Sequence, residues 1–140
     1  MKILFVCTGN TCRSPMAQII FQNLCTKNKR KGVKVQSAGT HTSCGLPQNN
    51  KGVQALIECG EKLGKTTITS TKFHHSMIEK FDYIVCMTYE HKLWIGEEYE
   101  NVHAMEPDIE DPYAGTLDGY KKCCKQLQQE LCKLYGRIFN

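Results

Sequence analysis

The apolar positions of the chain fall into short runs and stripes that switch between two periods. Ile3-Leu4-Phe5-Val6 is a continuous apolar run and predicts a buried strand. Met16, Ala17, Ile20, Phe21 and Leu24 then recur at helical spacing. Val33-Lys34-Val35-Gln36-Ser37 alternates and predicts a second strand. After a polar loop over residues 42–50, Val53, Leu56, Ile57 and Gly60 mark a second helix. Thr66-Thr67-Ile68 reads as a short strand and residues 76–81 as a short helix. Residues 82–87, Asp-Tyr-Ile-Val-Cys-Met, form an almost continuous apolar strand, which makes Cys86 part of a fourth strand. Thr88 can cap the next helix, which holds His91, Leu93, Trp94 and Ile95. Residues 101–105 read as a last strand. Thr116 caps a final helix with Tyr120, Cys124, Leu127, Leu131 and Leu134 on one stripe.

Strands alternating with helices imply right-handed crossovers and a parallel sheet. The fold class is therefore α/β, in three layers, with helices on both faces of the sheet. There is no repeat, linker or low-complexity segment, and 140 residues make one domain, 1–140.

Composition removes several classes. Apolar content of 41% and charged content of 23% are those of a soluble globular protein. No run approaches the length of a membrane span. A net charge of +4 suits anionic, phosphorylated substrates but is too weak to argue for nucleic acid. Nine cysteines, an odd number without a C-x2-C pair, disfavour both a disulfide framework and a zinc site. Most of Cys25, Cys44, Cys59, Cys86, Cys123, Cys124 and Cys132 read as packing residues in a reducing cytoplasm. Met1-Lys2 leads straight into the first strand, so cleavage of a signal peptide there would remove that strand and the loop after it. A cytoplasmic monomer is expected.

Between the first strand and the first helix lies the chemically dense stretch Cys7-Thr8-Gly9-Asn10-Thr11-Cys12-Arg13-Ser14. A loop entering a helix offers free N–H groups and the positive end of the dipole, a natural anion site. Such surroundings should lower the pKa of the Cys7 thiol and favour its nucleophilic thiolate. Arg13 can clamp two phosphoryl oxygens with its planar fork. Gly9 lets the backbone turn close to the anion. Asn10 tolerates a left-handed conformation. Ser14 can donate its hydroxyl to the Cys7 sulfur, and Pro15 suits the first helical position.

The string Val6-Cys7-Thr8-Gly9-Asn10-Thr11-Cys12-Arg13-Ser14-Pro15-Met16-Ala17 resembles the signature of the low-molecular-weight protein tyrosine phosphatases. It resembles more closely their bacterial branch, the protein arginine phosphatases, and the likeness runs through most of the chain. The resemblance implies four parallel strands in the order 2-1-3-4. It also implies a general acid in an Asp-Pro-aromatic motif, which transfers to Asp111 ahead of Pro112 and Tyr113; Asp108 and Glu110 compete on the same loop. Ser37 would brace Asn10. A supporting histidine common before the third helix is missing where Thr67-Ile68-Thr69 stands, and His74 and His75 read as surface residues.

The implied reaction has two steps. Cys7 attacks phosphorus while the loop amides and Arg13 hold the oxygens. Asp111 protonates the leaving group and then deprotonates water. No metal or other cofactor is needed, since Arg13 and the amides carry the charge stabilisation. Cys12, across the same loop, could shield Cys7 from overoxidation through a reversible disulfide.

Three features bear on the substrate. Thr11 stands where tyrosine-specific members usually carry Ile or Leu; it gives room and a hydroxyl for a guanidinium. The loop His41-Thr42-Ser43-Cys44-Gly45 holds no ring larger than imidazole. Tyr113 is followed by Ala114 and Gly115 rather than a second aromatic. These favour phosphoarginine over phosphotyrosine in protein substrates. An arsenate reductase would need a further relay of cysteines, which the spacing does not provide. A non-catalytic phosphate-binding module would have no use for nucleophile, arginine and acid together.

Overall fold

In the computed structural model, which describes residues 1–65, 67–112 and 115–140, the first apolar run forms strand β1 (Lys2–Cys7). Its side chains alternate between two cores. Ile3, Phe5 and Cys7 point to one side and Leu4 and Val6 to the other. Both sides are covered, which is why the run lacks polar interruptions.

The remaining elements are α1 (Arg13–Lys27), β2 (Lys34–Gly39), α2 (Asn50–Glu58), a 3-10 turn (His75–Met77), β3 (Tyr83–Cys86), α3 (Tyr89–Ile95), β4 (Val102–Ala104) and α4 (Leu117–Phe139). The strands form one parallel sheet in the order β2-β1-β3-β4. The larger core joins Ile3, Phe5 and Cys7 to Met16 and Phe21 of α1, Leu56 of α2, and Tyr120 and Leu127 of α4. The smaller joins Leu4 and Val6 to Ile84, Ile95 and Val102. β1 is therefore central, and Cys7 ends it on the side of α1 and α4.

The stripe Tyr120, Cys124, Leu127, Leu131 and Leu134 is buried along α4, whose start Thr116 caps by accepting from the Gly119 N–H at 3.3 Å. Thr88 caps α3 in the same way, accepting from the His91 N–H at 3.3 Å. Among the described residues no helix is long and apolar enough to cross a membrane.

The chain departs from expectation in four places. Pro15 is not the first helical residue, because α1 begins at Arg13. Its missing N–H still costs nothing, since the whole first turn lacks intrahelical acceptors. Ile57 is 56% exposed, and Ala55 and Leu56 carry α2 into the core instead. The segment at 76–81 closes only as the 3-10 turn. The short strand expected at 66–68 does not extend the sheet: Thr66 lies outside the described residues, and Thr69 makes only an isolated antiparallel bridge to Pro47. Cys86 accordingly stands in the third strand, not a fourth.

Candidate active site

β1 and β2 run in register to Cys7 and Gly39, and the pairing continues past the strand ends. The Thr40 N–H donates to the Cys7 carbonyl and the His41 N–H to the Thr8 carbonyl, both at 2.9 Å. The Asn49 N–H takes the Thr11 carbonyl at 2.8 Å, and Met16 takes that of Cys12 at 3.0 Å. These loop carbonyls are thus engaged away from the cradle. Gly39 is needed at this approach: a Cβ there would lie 2.6 Å from the Thr8 carbonyl oxygen. The glycine expected to matter, Gly9, has open space around it except for Thr11 Oγ1 at 3.7 Å, and it has no positive φ. The left-handed turn falls on Asn10, at φ 54°.

The buried Cys7 sulfur is held from two sides. The Asn10 N–H donates to Sγ at 3.3 Å, and Ser14 Oγ lies 2.9 Å from it. Asn10 Nδ2 donates to Ser14 Oγ at 2.7 Å, and Asn10 Oδ1 accepts from the Thr71 N–H at 2.8 Å. The brace on Asn10 is therefore Ser14 and the backbone of Thr71, not Ser37. Ser37 is turned to α1, where its hydroxyl donates to Gln18 Oε1 at 2.7 Å. The cause is register: Ser37 pairs with Phe5, two residues short of the loop.

Arg13, the first residue of α1, is 5% exposed. Its Nη1 donates to the Ile109 carbonyl at 3.1 Å and its Nη2 to Thr8 Oγ1 at 3.4 Å. Its Nη2 lies 3.7 Å from Asp111 Oδ2, so guanidinium and carboxylate face one another. Asp111 is half exposed. Its competitor Asp108 serves elsewhere, its Oδ1 accepting from the Tyr89 N–H at the start of α3 at 3.0 Å. Glu110 is exposed.

These residues line one cavity of about 280 Å³. Its walls are Cys7 through Arg13, Asn49, Asp111 and Tyr120. Seven consecutive loop residues and the expected acid thus meet in one place. Asn49 and Tyr120 were not legible as lining, since α2 and α4 bring them from distant sequence. Tyr113 lies outside the described residues. Cys12 is the N-cap of α1, and its thiol donates to Met16 Sδ at 3.7 Å. Burial, with like charge from Cys123, Cys7 and Asp111, pushes the Cys12 thiol up. Burial also pushes Cys86 up to about 12.

Two residues of α3 that the sequence places only in a helix have partners in this region. Trp94 packs on His41 at 5.3 Å between ring centroids, and neither ring lines the cavity. His91 of α3 is buried with Nε2 2.8 Å from Thr8 Oγ1. It lowers in pKa to about 4, first through burial and then through Arg13, with His41 adding and Asp108 and Asp111 opposing. A histidine does support the loop, from within the third helix rather than before it. His74 and His75 are exposed, as expected.

The family described as Low molecular weight phosphotyrosine protein phosphatase matches residues 2–139. A protein-arginine-phosphatase of Bacillus subtilis is 33% identical, over 99% of this chain and 97% of its own. The low molecular weight protein-tyrosine-phosphatase PtpB of Staphylococcus aureus is 32% identical, over 96% of each. A solved YwlE arginine phosphatase, a cysteine-to-serine mutant with its active-site serine phosphorylated, superposes with a TM-score of 0.88 at 30% identity, over 99% of this chain and 95% of its own.

The low pKa of His91 gives a signed prediction. Between about 4 and 6.5 the unfolded chain binds a proton that the folded chain refuses. The stability linked to His91 is therefore complete above pH 6.5 and is lost as pH falls toward about 4. Thermal melts across that window should show a fall in Tm that is smaller in His91→Gln. An equal fall in both proteins would remove His91 as the source.

Proposed function

The chain belongs to the low molecular weight phosphotyrosine protein phosphatase family, and from that premise we propose that it hydrolyses phosphoarginine in proteins through a Cys7 phosphoenzyme. It is a cysteine-based phosphatase. One observation carries the reading of the site: Cys7 Sγ, bracketed by the Asn10 N–H and Ser14 Oγ, shares a cavity with Arg13 and Asp111.

The chemistry rests on the geometry. A phosphoryl group seated in the loop meets the Cys7 sulfur on one side. Arg13 and inward-facing amides take the charge on its oxygens. The sulfur attacks phosphorus in line while Asp111 gives its proton to the leaving nitrogen or oxygen. The Ser14 hydroxyl, already 2.9 Å from Sγ, steadies the sulfur as thiolate and later as leaving group. Asp111, now ionised, takes a proton from water, which attacks the phosphocysteine and frees phosphate. In the related YwlE structure the phosphate sits on a serine that replaces a cysteine, which supports a phosphoenzyme route.

Thr11 supports the guanidinium substrate. It lines the cavity, and its small polar side chain leaves space where an apolar one would press on a ring. Asp111 also suits this leaving group, because a carboxylate pairs well with guanidinium N–H groups. The likeness to PtpB favours a second reading, phosphotyrosine.

Matched phosphoarginine and phosphotyrosine peptides decide between them. Wild type should prefer phosphoarginine in kcat/KM, and Thr11→Ile should reverse the preference. Wild type preferring phosphotyrosine would establish the second reading. Asp111→Asn should lower kcat by about 10² or more, as loss of a general acid does. Cys7→Ser should abolish turnover while phosphate still binds; retained turnover would remove Cys7 as nucleophile. Mild peroxide takes two electrons from two thiols to form one disulfide, and peptide mapping should then find Cys7 joined to Cys12. Sulfinic acid on Cys7 with no such link would exclude protection by Cys12.

A further inference from the structure

His91 belongs to neither the phosphate loop nor the acid loop, yet it reaches the catalytic guanidinium through one atom. Its hydrogen bonds fix its tautomer. Nδ1 lies 3.2 Å from the backbone nitrogen of Thr88, which can only donate, so Nδ1 accepts, and the Thr88 hydroxyl, 2.9 Å away, can donate to it as well. The ring proton therefore sits on Nε2 in the neutral imidazole, and Nε2–H donates to Thr8 Oγ1 at 2.8 Å. The same Thr8 oxygen accepts from Arg13 Nη2 at 3.4 Å. A linear chain results, Thr88 N–H to His91 to Thr8 to Arg13.

Thr8 alone would be a weak anchor, because a threonine hydroxyl turns freely to suit its partners. With two donors aimed at its oxygen, its own hydrogen must point away from both. The hydroxyl is thereby held as an acceptor toward Arg13. The ring is held in place: the residue is 7% exposed, and its far nitrogen is tied to Thr88, the N-cap of α3. The charged and titratable groups that face it are Arg13 from α1, His41 from the segment after β2, and Asp108 and Asp111 from the loop after β4.

We propose that His91 is a positioning residue for the phosphatase reaction, setting the Arg13 guanidinium through the Thr8 hydroxyl. The inference rests on the phosphatase reading above and assigns α3 a part in it. His91 touches no substrate. Its work is to keep Arg13 aligned while the cavity is empty, so that the clamp need not be assembled when the phosphoryl group arrives.

His91 has two jobs that different side chains separate. His91→Asn keeps an acceptor near Nδ1 for the Thr88 N–H but is too short to reach Thr8. His91→Gln places an amide N–H near the Nε2 position and keeps the donation to Thr8. With p-nitrophenyl phosphate as probe, His91→Asn and Thr8→Val should each lower kcat/KM about tenfold, the scale of a small misplacement of a catalytic group. The double variant should be no slower than the slower single one, because both cut the same chain. His91→Gln should stay within about twofold of wild type.

A purely structural role would give another pattern: His91→Gln as slow as His91→Asn, or losses that multiply in the double variant. Either result overturns the proposal, as does wild-type kcat/KM in His91→Asn. A wild type that fails to hydrolyse the probe sinks the phosphatase reading itself, a separate outcome. Ring nitrogen NMR of the wild type needs no variant to fold. It should show His91 as the neutral Nε2–H tautomer, persisting to about pH 5; an Nδ1–H tautomer would overturn the chain of donors.

Discussion

The site depends on one residue holding an unfavourable backbone conformation. Asn10 sits at φ 54°, in the left-handed region, and its side chain offsets the cost of that conformation. It does so by donating to Ser14 and accepting from the Thr71 amide. The turn aims its own N–H at the Cys7 sulfur. Release of that turn would free the amide, the serine and the sulfur together. The rest of the fold serves the turn: β2 pairs beyond its end to occupy the loop carbonyls, and Gly39 lacks the side chain that would push the loop away.

Around this knot the sheet gathers groups from distant parts of the chain. β1 delivers the Cys7 thiol and α1 the Arg13 guanidinium. The loop after β4 delivers the Asp111 carboxylate, and α3 delivers a buried imidazole. Each arrives because parallel strands leave their carboxyl ends at one edge, with the following loops clustered there.

That arrangement explains which parts were readable in the sequence. The stretch from Cys7 to Ser14 was legible because its chemistry is local, a strand end, a turn and a helix start within eight residues. The stripe on α4 and the caps at Thr88 and Thr116 were legible for the same reason. His91 was not: it reads as an ordinary position in a short helix, and only the sheet order brings it to Thr8. Ser37 was misplaced because strand register, not proximity in a motif, decides which residue faces the loop. The left-handed turn was foreseen at Asn10, while the freedom credited to Gly9 was needed at Gly39. Close approach between two strands leaves no mark on either strand alone.

The bond from Arg13 Nη1 to the Ile109 carbonyl has a consequence for distance. Ile109 is wholly buried and also donates its N–H to Met87. Asp111 follows only two residues later, a length of chain that spans at most about 7 Å. The guanidinium is therefore also the point from which the Asp111 carboxylate is measured out. Under the proposed reaction Cys7, Arg13 and Asp111 stand as marks on one ruler, and a larger leaving group has only the reach of those two residues to work with.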